Sequence, residues 1–304
     1  MHWLTAAAGA ALVLFVLRDI FHTVGHPEGQ GSLSRFVLST TWRLSRLRGG
    51  RGRLAGPLAL LAVILVWGTL AVVGWALLYW PSVPTGFVYA TGSGPSPGGT
   101  NRILDALYIS MVTMSTLGFG DIAPAAGWLR IANPLEAFFG FALLTVAVSW
   151  VLQIYPALNR RRVLAIRLSS LRRASVLVRL RDDNSALPPG VLERLSTDII
   201  QALVDLSEYS ETYYFPDADP NSSLAASLPY AVELARVGAA SSRSDMRLAA
   251  NLLTCALEDF AGVLKDRFRY SGLTMSEVFA AYAAEHGNVP ADGGNHQLSG
   301  HQGE

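Results

Sequence analysis

Charge is scarce in this chain. Only 15% of its 304 residues are charged and 51% are hydrophobic, whereas a soluble protein carries about 25% charged residues. That deficit excludes an ordinary soluble enzyme. Cysteine is nearly missing. Cys255 stands alone, so neither a disulfide framework nor a multi-cysteine zinc site can form within one chain. No nucleophile, base or metal-ligand constellation is present, so no enzyme activity and no cofactor are expected. Residues 187–286 lack both β-rich segments and a Gly-x-Gly-x-x-Gly turn, which excludes a Rossmann nucleotide-binding domain there. Nothing points to a nucleic-acid partner. The longest absence is of charge itself: none occurs between Arg53 and Arg102.

The charge that does exist is polarised. Residues 1–181 hold 17 Arg and 5 acids, a balance of +12, while residues 182–304 hold 7 basic and 18 acidic residues, a balance of −11. The first part also carries long apolar runs. Leu58–Trp80 would make a helix of about 34 Å, enough to cross a hydrocarbon core of roughly 30 Å. Ala137–Asn159 is equally long and uncharged. A third run, Trp3–Leu17, continues through Ile20 and Phe21. It is not a signal peptide in pattern, because its small residues come first and its arginine last. The linker 18–53 carries seven Arg and the segment 160–181 eight, against Arg102 alone in 81–128. Basic flanks stay in the cytoplasm. The expected topology is three crossings, with the N-terminus outside and the C-terminus cytoplasmic, as in a bacterial inner membrane.

The external stretch 81–128 begins with Pro, Gly and Ser from Pro81 to Gly99, which reads as turns. A helical pattern follows over 101–115, with Ile103, Leu104, Leu107, Tyr108 and Met111 on one face and Thr100 or Asn101 as cap. At about 22 Å it is too short to span, so it must enter the membrane and return. Thr116-Leu-Gly-Phe-Gly-Asp121 comes next. Glycine reaches positive φ without steric penalty. Alternating permissive residues let successive carbonyls face one way, which an ordinary strand forbids. Irregular backbone at membrane depth must be buried in protein or line a wet cavity.

Thr113, Thr116, Leu117, Gly118, Phe119, Gly120 and Asp121, lying between a short helix and an uncharged span, resemble the pore-loop potassium channels. The likeness covers about residues 55–158. It implies a tetrameric pore-loop channel; with the apolar run at 3–17 and the 3–4 apolar spacing of Val191, Leu192, Leu195, Ile199, Leu203 and Leu206, the expected fold is an all-α membrane protein with an extra N-terminal transmembrane helix and a cytoplasmic α-helical domain. It further implies that Thr116, Leu117, Gly118, Phe119 and Gly120 bind the transported K+, and that Tyr108, Thr113 and Asp121 support the filter and its outer mouth. Gly140 becomes the candidate gating hinge. No metal beyond the K+ in the filter is implied. Leu117 and Phe119 replace the family's Val and Tyr, and Phe119 lacks the hydroxyl that braces the filter. One loop per chain implies a homotetramer in the lipid bilayer. The rival readings are a poorly selective cation channel and a non-conducting, membrane-anchored sensor or scaffold.

The expected organisation is an N-terminal span and basic linker (1–54), a pore domain (55–159), a basic juxtamembrane segment (160–186), a cytoplasmic helical domain (187–286) and a disordered tail (287–304). Arg160–Arg181 are expected to meet anionic lipid. Pro156 is expected to end the last span. Glu136, ionisable within that span, is expected to face protein, with a partner among Thr113–Ser115. Asp19, His22 and His26 read as a membrane-interface turn rather than a metal site, and Cys255 reads as a core residue.

Overall fold

The computed structural model describes residues 2–25, 31–47, 55–90, 102–182, 187–217, 219–268, 270 and 273–286. Three segments are long and apolar enough to cross a membrane: Trp3–Val24, Gly56–Ser82 and Leu129–Arg173. The chain divides into two units, one of Met1–Arg48 with Leu54–Tyr155, the other of Gly49–Arg53 with Pro156–Glu304.

In the first unit, α1 (His2–Val24) packs on α3 (Ala55–Tyr79). The approach is close because both helices offer glycine. A Cβ on Gly9 would stand 2.4 Å from the Gly74 carbonyl oxygen. Small residues are what let helix backbones close up in a membrane. Between these helices lies α2 (Ser32–Leu47), a helix where the sequence reads only as a basic linker. Its apolar residues Leu38 and Trp42 are buried.

The start of α2 is capped from another helix. The first N–H groups of a helix have no partner within it. Here the Asp19 carboxylate of α1 accepts from Leu33 N at 2.9 Å, Ser34 N at 3.2 Å and Ser34 Oγ at 2.6 Å. It also accepts from Trp67 Nε1 of α3 at 2.9 Å. A Cβ at residue 31 would fall 2.2 Å from Asp19 Oδ1, so glycine is required there. Asp19 is therefore a structural cap. His26 lies outside the described residues, and no group of three metal-ligating side chains occurs among those described.

The stretch after α3 also differs from its reading as turns. Phe87–Tyr89 (β1) pairs antiparallel with Ile122–Pro124 (β2), in the register Tyr89 with Ile122 and Phe87 with Pro124. Between them runs α4 (Arg102–Met114); the expected caps Thr100 and Asn101 lie outside the described residues. Next comes α5 (Leu129–Arg173), which continues through Pro156 rather than ending there. Proline removes one helical N–H. Packing on both sides outweighs that loss, since Ile154 is wholly buried in the first unit and Ala157, Leu164 and Leu168 are buried in the second.

The second unit holds α5 from Pro156 onward, then α6 (Val176–Arg181), α7 (Gly190–Glu208), α8 (Leu224–Ala239), α9 (Ser244–Phe268) and α10 (Met275–Glu285). The arginine-rich segment is thus built into this unit up to Asp182 rather than standing apart from it; residues 183–186 lie outside the described set. The core draws on Leu192, Ile199, Leu228, Leu257, Phe260 and Phe279, all with little or no exposure. Thr274 and Glu277 form a capping box at the start of α10. Cys255 is exposed, against expectation, because the buried stripe of α9 runs through Leu253, Ala256, Leu257 and Phe260 and leaves Cys255 beside it. The expected tail 287–304 lies outside the described residues.

Candidate functional site

The pore loop begins where α4 runs out of turns. Thr116 N bonds to Thr113 O at 2.9 Å and Leu117 N to Val112 O at 3.1 Å, closing the helix end. Beyond it the backbone alternates. Thr116, Gly118 and Gly120 take φ values of +59°, +53° and +77°, and the intervening Leu117 and Phe119 do not go positive. Positive φ is nearly free for glycine but costs a side-chain-bearing residue about 1–2 kcal/mol. Thr116 is therefore held there by its surroundings. Leu117 and Phe119 are 61% and 65% exposed, and a Cβ at Gly118 or Gly120 would meet nothing within 4 Å.

The segment is fastened at both ends. Arg102 Nε donates to the Val83 carbonyl at 2.8 Å, tying down the start of α4. After the loop, Ala90 N donates to the Asp121 carbonyl at 2.8 Å, and the β1–β2 ribbon follows directly. The Tyr108 hydroxyl donates to Asp121 Oδ2 at 2.6 Å, so the outer end is bonded back to α4.

One face of α5 seats α4 from behind. Asn133 Nδ2 donates to Thr113 Oγ1 at 3.1 Å. Ser110 Oγ lies 2.5 Å from Glu136 Oε1 and 3.0 Å from the Val72 carbonyl oxygen of α3. Gly140 lies against the last turn of α4, where a Cβ would stand 2.0 Å from the Met114 carbonyl oxygen. Asn133, Glu136 and Gly140 recur at helical spacing, so they share a face. Ser110 lies a turn earlier than the Thr113–Ser115 group expected to partner Glu136, because Asn133 occupies Thr113. The same unit joins α3 to α5 through Trp67 and Trp150, whose ring centroids are 5.4 Å apart. Asn133, Ser110 and Asp19 carry no motif that would single them out in the sequence.

In the second unit, several of the arginines 160–181 are taken up by carboxylates. Arg160 grips Asp205 through both forks, at 2.6 and 2.7 Å. Arg161 donates to the Thr212 and Phe215 carbonyls and reaches Asp217 at 3.1 Å. Arg167 pairs with Asp198 and Arg181 with Glu233. Those acids lie on α7, on α8 and in the segment between them, so the opposite charges of the two halves meet as specific bonds. Further along, Tyr213 stacks on Phe268 at 3.8 Å, and its hydroxyl bonds to the Tyr270 hydroxyl and donates to the Glu285 carboxylate in one largely buried cluster.

Comparison with known proteins bears on the pore unit first. Residues 62–155 match the family model described as Ion channel. The chain is 28% identical over 169 residues to a Bacillus subtilis protein named uncharacterized membrane protein YdjJ, covering 54% of this chain and 48% of that one. It is 38% identical over 65 residues to two-pore potassium channel 5 of Arabidopsis thaliana, covering 21% of this chain and 16% of that one. Two pore potassium channel a of Oryza sativa is 40% identical over 63 residues, covering 21% and 18%. The chain therefore spans half or less of the length of these relatives. No solved structure matches it.

Proposed function

We propose that this chain, whose residues 62–155 match the ion-channel family model, is a pore-loop potassium channel that assembles as a homotetramer and conducts K+ selectively. The observation that carries the proposal is the alternation of positive φ at Thr116, Gly118 and Gly120. Such a backbone turns the carbonyls of Thr116, Leu117, Gly118 and Phe119 toward one side, where with the Thr116 hydroxyl they replace the hydration shell of a cation. The C-terminal, negative end of α4 leads straight into this loop and favours the same charge. One chain supplies one loop, and its filter side chains face outward. An apolar cleft of about 860 Å³, lined by Val72, Met111, Leu117, Gly140 and Leu144 among others, is open beside that loop. A neighbouring copy fills it in the assembly.

In this reading Tyr108 and Asp121 hold the outer mouth, Thr113 steadies the pore helix through Asn133, and Gly140 is the place where α5 bends. The basic segments favour an outside N-terminus and a cytoplasmic second unit. Within that unit Arg160 and Arg161 tie the extension of α5 to α7 and to the segment after it, so a movement of the unit is passed along α5 toward the gate. The exposed Arg162, Arg173 and Arg179 remain for anionic lipid.

Reconstitution in liposomes with separate K+ and Na+ gradients tests the proposal. Wild type is expected to pass K+ in preference, and Gly120→Ala to lose flux while staying assembled, since φ at +77° penalises any Cβ in every copy. Equal passage of both ions would favour the poorly selective channel, a reading that the missing Phe119 hydroxyl supports. Undiminished flux in Gly120→Ala would remove the filter assignment.

A further inference from the structure

The strongest unexplained arrangement is the one around Glu136. Its side chain sits on the transmembrane part of α5 and, with Ser110, is wholly buried. Three groups meet at Ser110 Oγ: its own single hydrogen, the Val72 carbonyl at 3.0 Å and Glu136 Oε1 at 2.5 Å. A hydroxyl offers one donor and two acceptor lone pairs. A carbonyl cannot donate. If Glu136 were an ion, the one hydrogen would have to serve two acceptors at once. The other carboxyl oxygen makes the point independently, because Glu136 Oε2 is buried with no hydrogen-bond partner. No ion pair reaches Glu136 among the described residues. The Tyr79 hydroxyl of α3 is also buried beside Glu136, without a hydrogen bond of normal geometry to it. A buried carboxylate with one shared donor and no cation is far more costly than a neutral acid with one idle oxygen.

We propose that Glu136 is a neutral carboxylic acid that donates its proton to Ser110 Oγ, which in turn donates to the Val72 carbonyl. The relay runs α5 to α4 to α3, and every hydrogen and every short contact in it is then used. O–H···O bonds have their mode near 2.7–2.8 Å and extend down to about 2.5 Å, so the 2.5 Å separation fits a strong carboxylic donor. Glu136 is thus a positioning residue. It acts on the filter through α4, whose last turn continues into Thr116, and it lies between Asn133 and Gly140 on the face that seats α4. A permanent charge there would draw water or a cation behind the filter; a proton lets the same side chain bracket three helices inside the bilayer.

Infrared difference spectroscopy on the full chain in vesicles tests this without reference to conduction. Wild type minus Glu136→Gln at neutral pH is expected to show the C=O stretch of a protonated carboxylic acid, shifted in D2O. In Ser110→Ala the band should persist and move to the frequency of a less hydrogen-bonded acid. Carboxylate stretches alone in the wild-type difference would overturn the assignment. Cation flux supplies the second arm, and that arm rests on the channel reading. Gln also donates to Ser110, so Glu136→Gln should conduct nearly as wild type, while Glu136→Ala should lose flux by about tenfold or more. Gln as damaging as Ala, or Ala as benign as Gln, would also overturn it. If wild type itself passes no cation, the channel reading fails and the spectrum still decides the proton.

Discussion

Replacing Gly140 by alanine separates two roles that this residue could play. As a hinge alone, glycine is a weak point in α5, and alanine should strengthen the helix by about 1 kcal/mol. The geometry says otherwise. An ideal Cβ at this position stands 2.0 Å from the Met114 carbonyl oxygen and 2.9 Å from its carbon, whereas real Cβ contacts do not fall below 3.0 Å. The opposing atoms are backbone at the end of α4, so no side chain can swing aside. Helix α5 must retreat by about an ångström. That retreat stretches the Asn133–Thr113 bond from 3.1 Å and the Glu136–Ser110 contact from 2.5 Å to or past the limit of hydrogen bonding. Overpacking of this kind costs about 1–3 kcal/mol, and each weakened bond adds about 0.5–1.5 kcal/mol. Set against the gain in helix propensity, the expected loss is about 3 kcal/mol per chain.

The assay is thermal unfolding of the detergent-solubilised protein, read beside flux selectivity in liposomes. Gly140→Ala should melt lower than wild type and discriminate less between K+ and Na+, since α4 leads into the proposed filter. Gly262→Ala in α9 is the control, because a Cβ there meets nothing within 4 Å. It should melt no lower than wild type. A Gly140→Ala protein that is as stable as wild type, or more so, with selectivity intact and only its open probability reduced, would refute the seating argument and leave the hinge.

Three further outcomes are expected. Arg160→Ala should destabilise the second unit by about 2 kcal/mol, because Asp205 is only 4% exposed and keeps just the Gln201 amide at 3.2 Å; denaturant unfolding of the full chain reads it. Asp19→Asn should loosen the α1–α2 junction by about 1–3 kcal/mol, since an amide nitrogen would confront a donor among Leu33 N, Ser34 and Trp67 Nε1, and a melting temperature equal to wild type would contradict the cap. His286 titrates low because it is buried, an effect only partly offset by the Tyr213 and Tyr282 carbonyls at its two ring nitrogens. Its folded form therefore binds fewer protons than its unfolded form just below the ordinary value of 6.5, so stability is full above that pH and falls as pH drops beneath it. The fall in melting temperature between about pH 7.5 and about pH 5.5 should shrink in His286→Gln.

Legibility in the sequence followed the range of the interaction. The positive φ at Gly118 and Gly120 could be anticipated because glycine marks it openly, whereas that at Thr116, which carries a side chain, could not. Tyr108 and Asp121 are 13 positions apart, and only the likeness to the pore-loop channels set both near the outer mouth, where their side chains are hydrogen-bonded. Asp19 could not be placed in the same way. Its acceptors serve an amide 14 residues on and an indole 48 residues on, and only the packing of α1, α2 and α3 brings these together. Pro156 misleads for a related reason. Its local preference is to break a helix, but Ile154 and Ala157 on either side are buried, and the apolar surface they keep from water outweighs one missing bond. Cys255 shows the limit at the finest scale: an apolar helical stretch does not say which side of the helix faces inward, and one step of 100° separates the buried Ala256 from the exposed Cys255. Local rules thus write the glycine turns of the proposed filter. The seat behind it, made by Asn133, Glu136 and Gly140 against Thr113, Ser110 and Met114, is written only in how two helices cross, which is why its residues look ordinary until they are brought together.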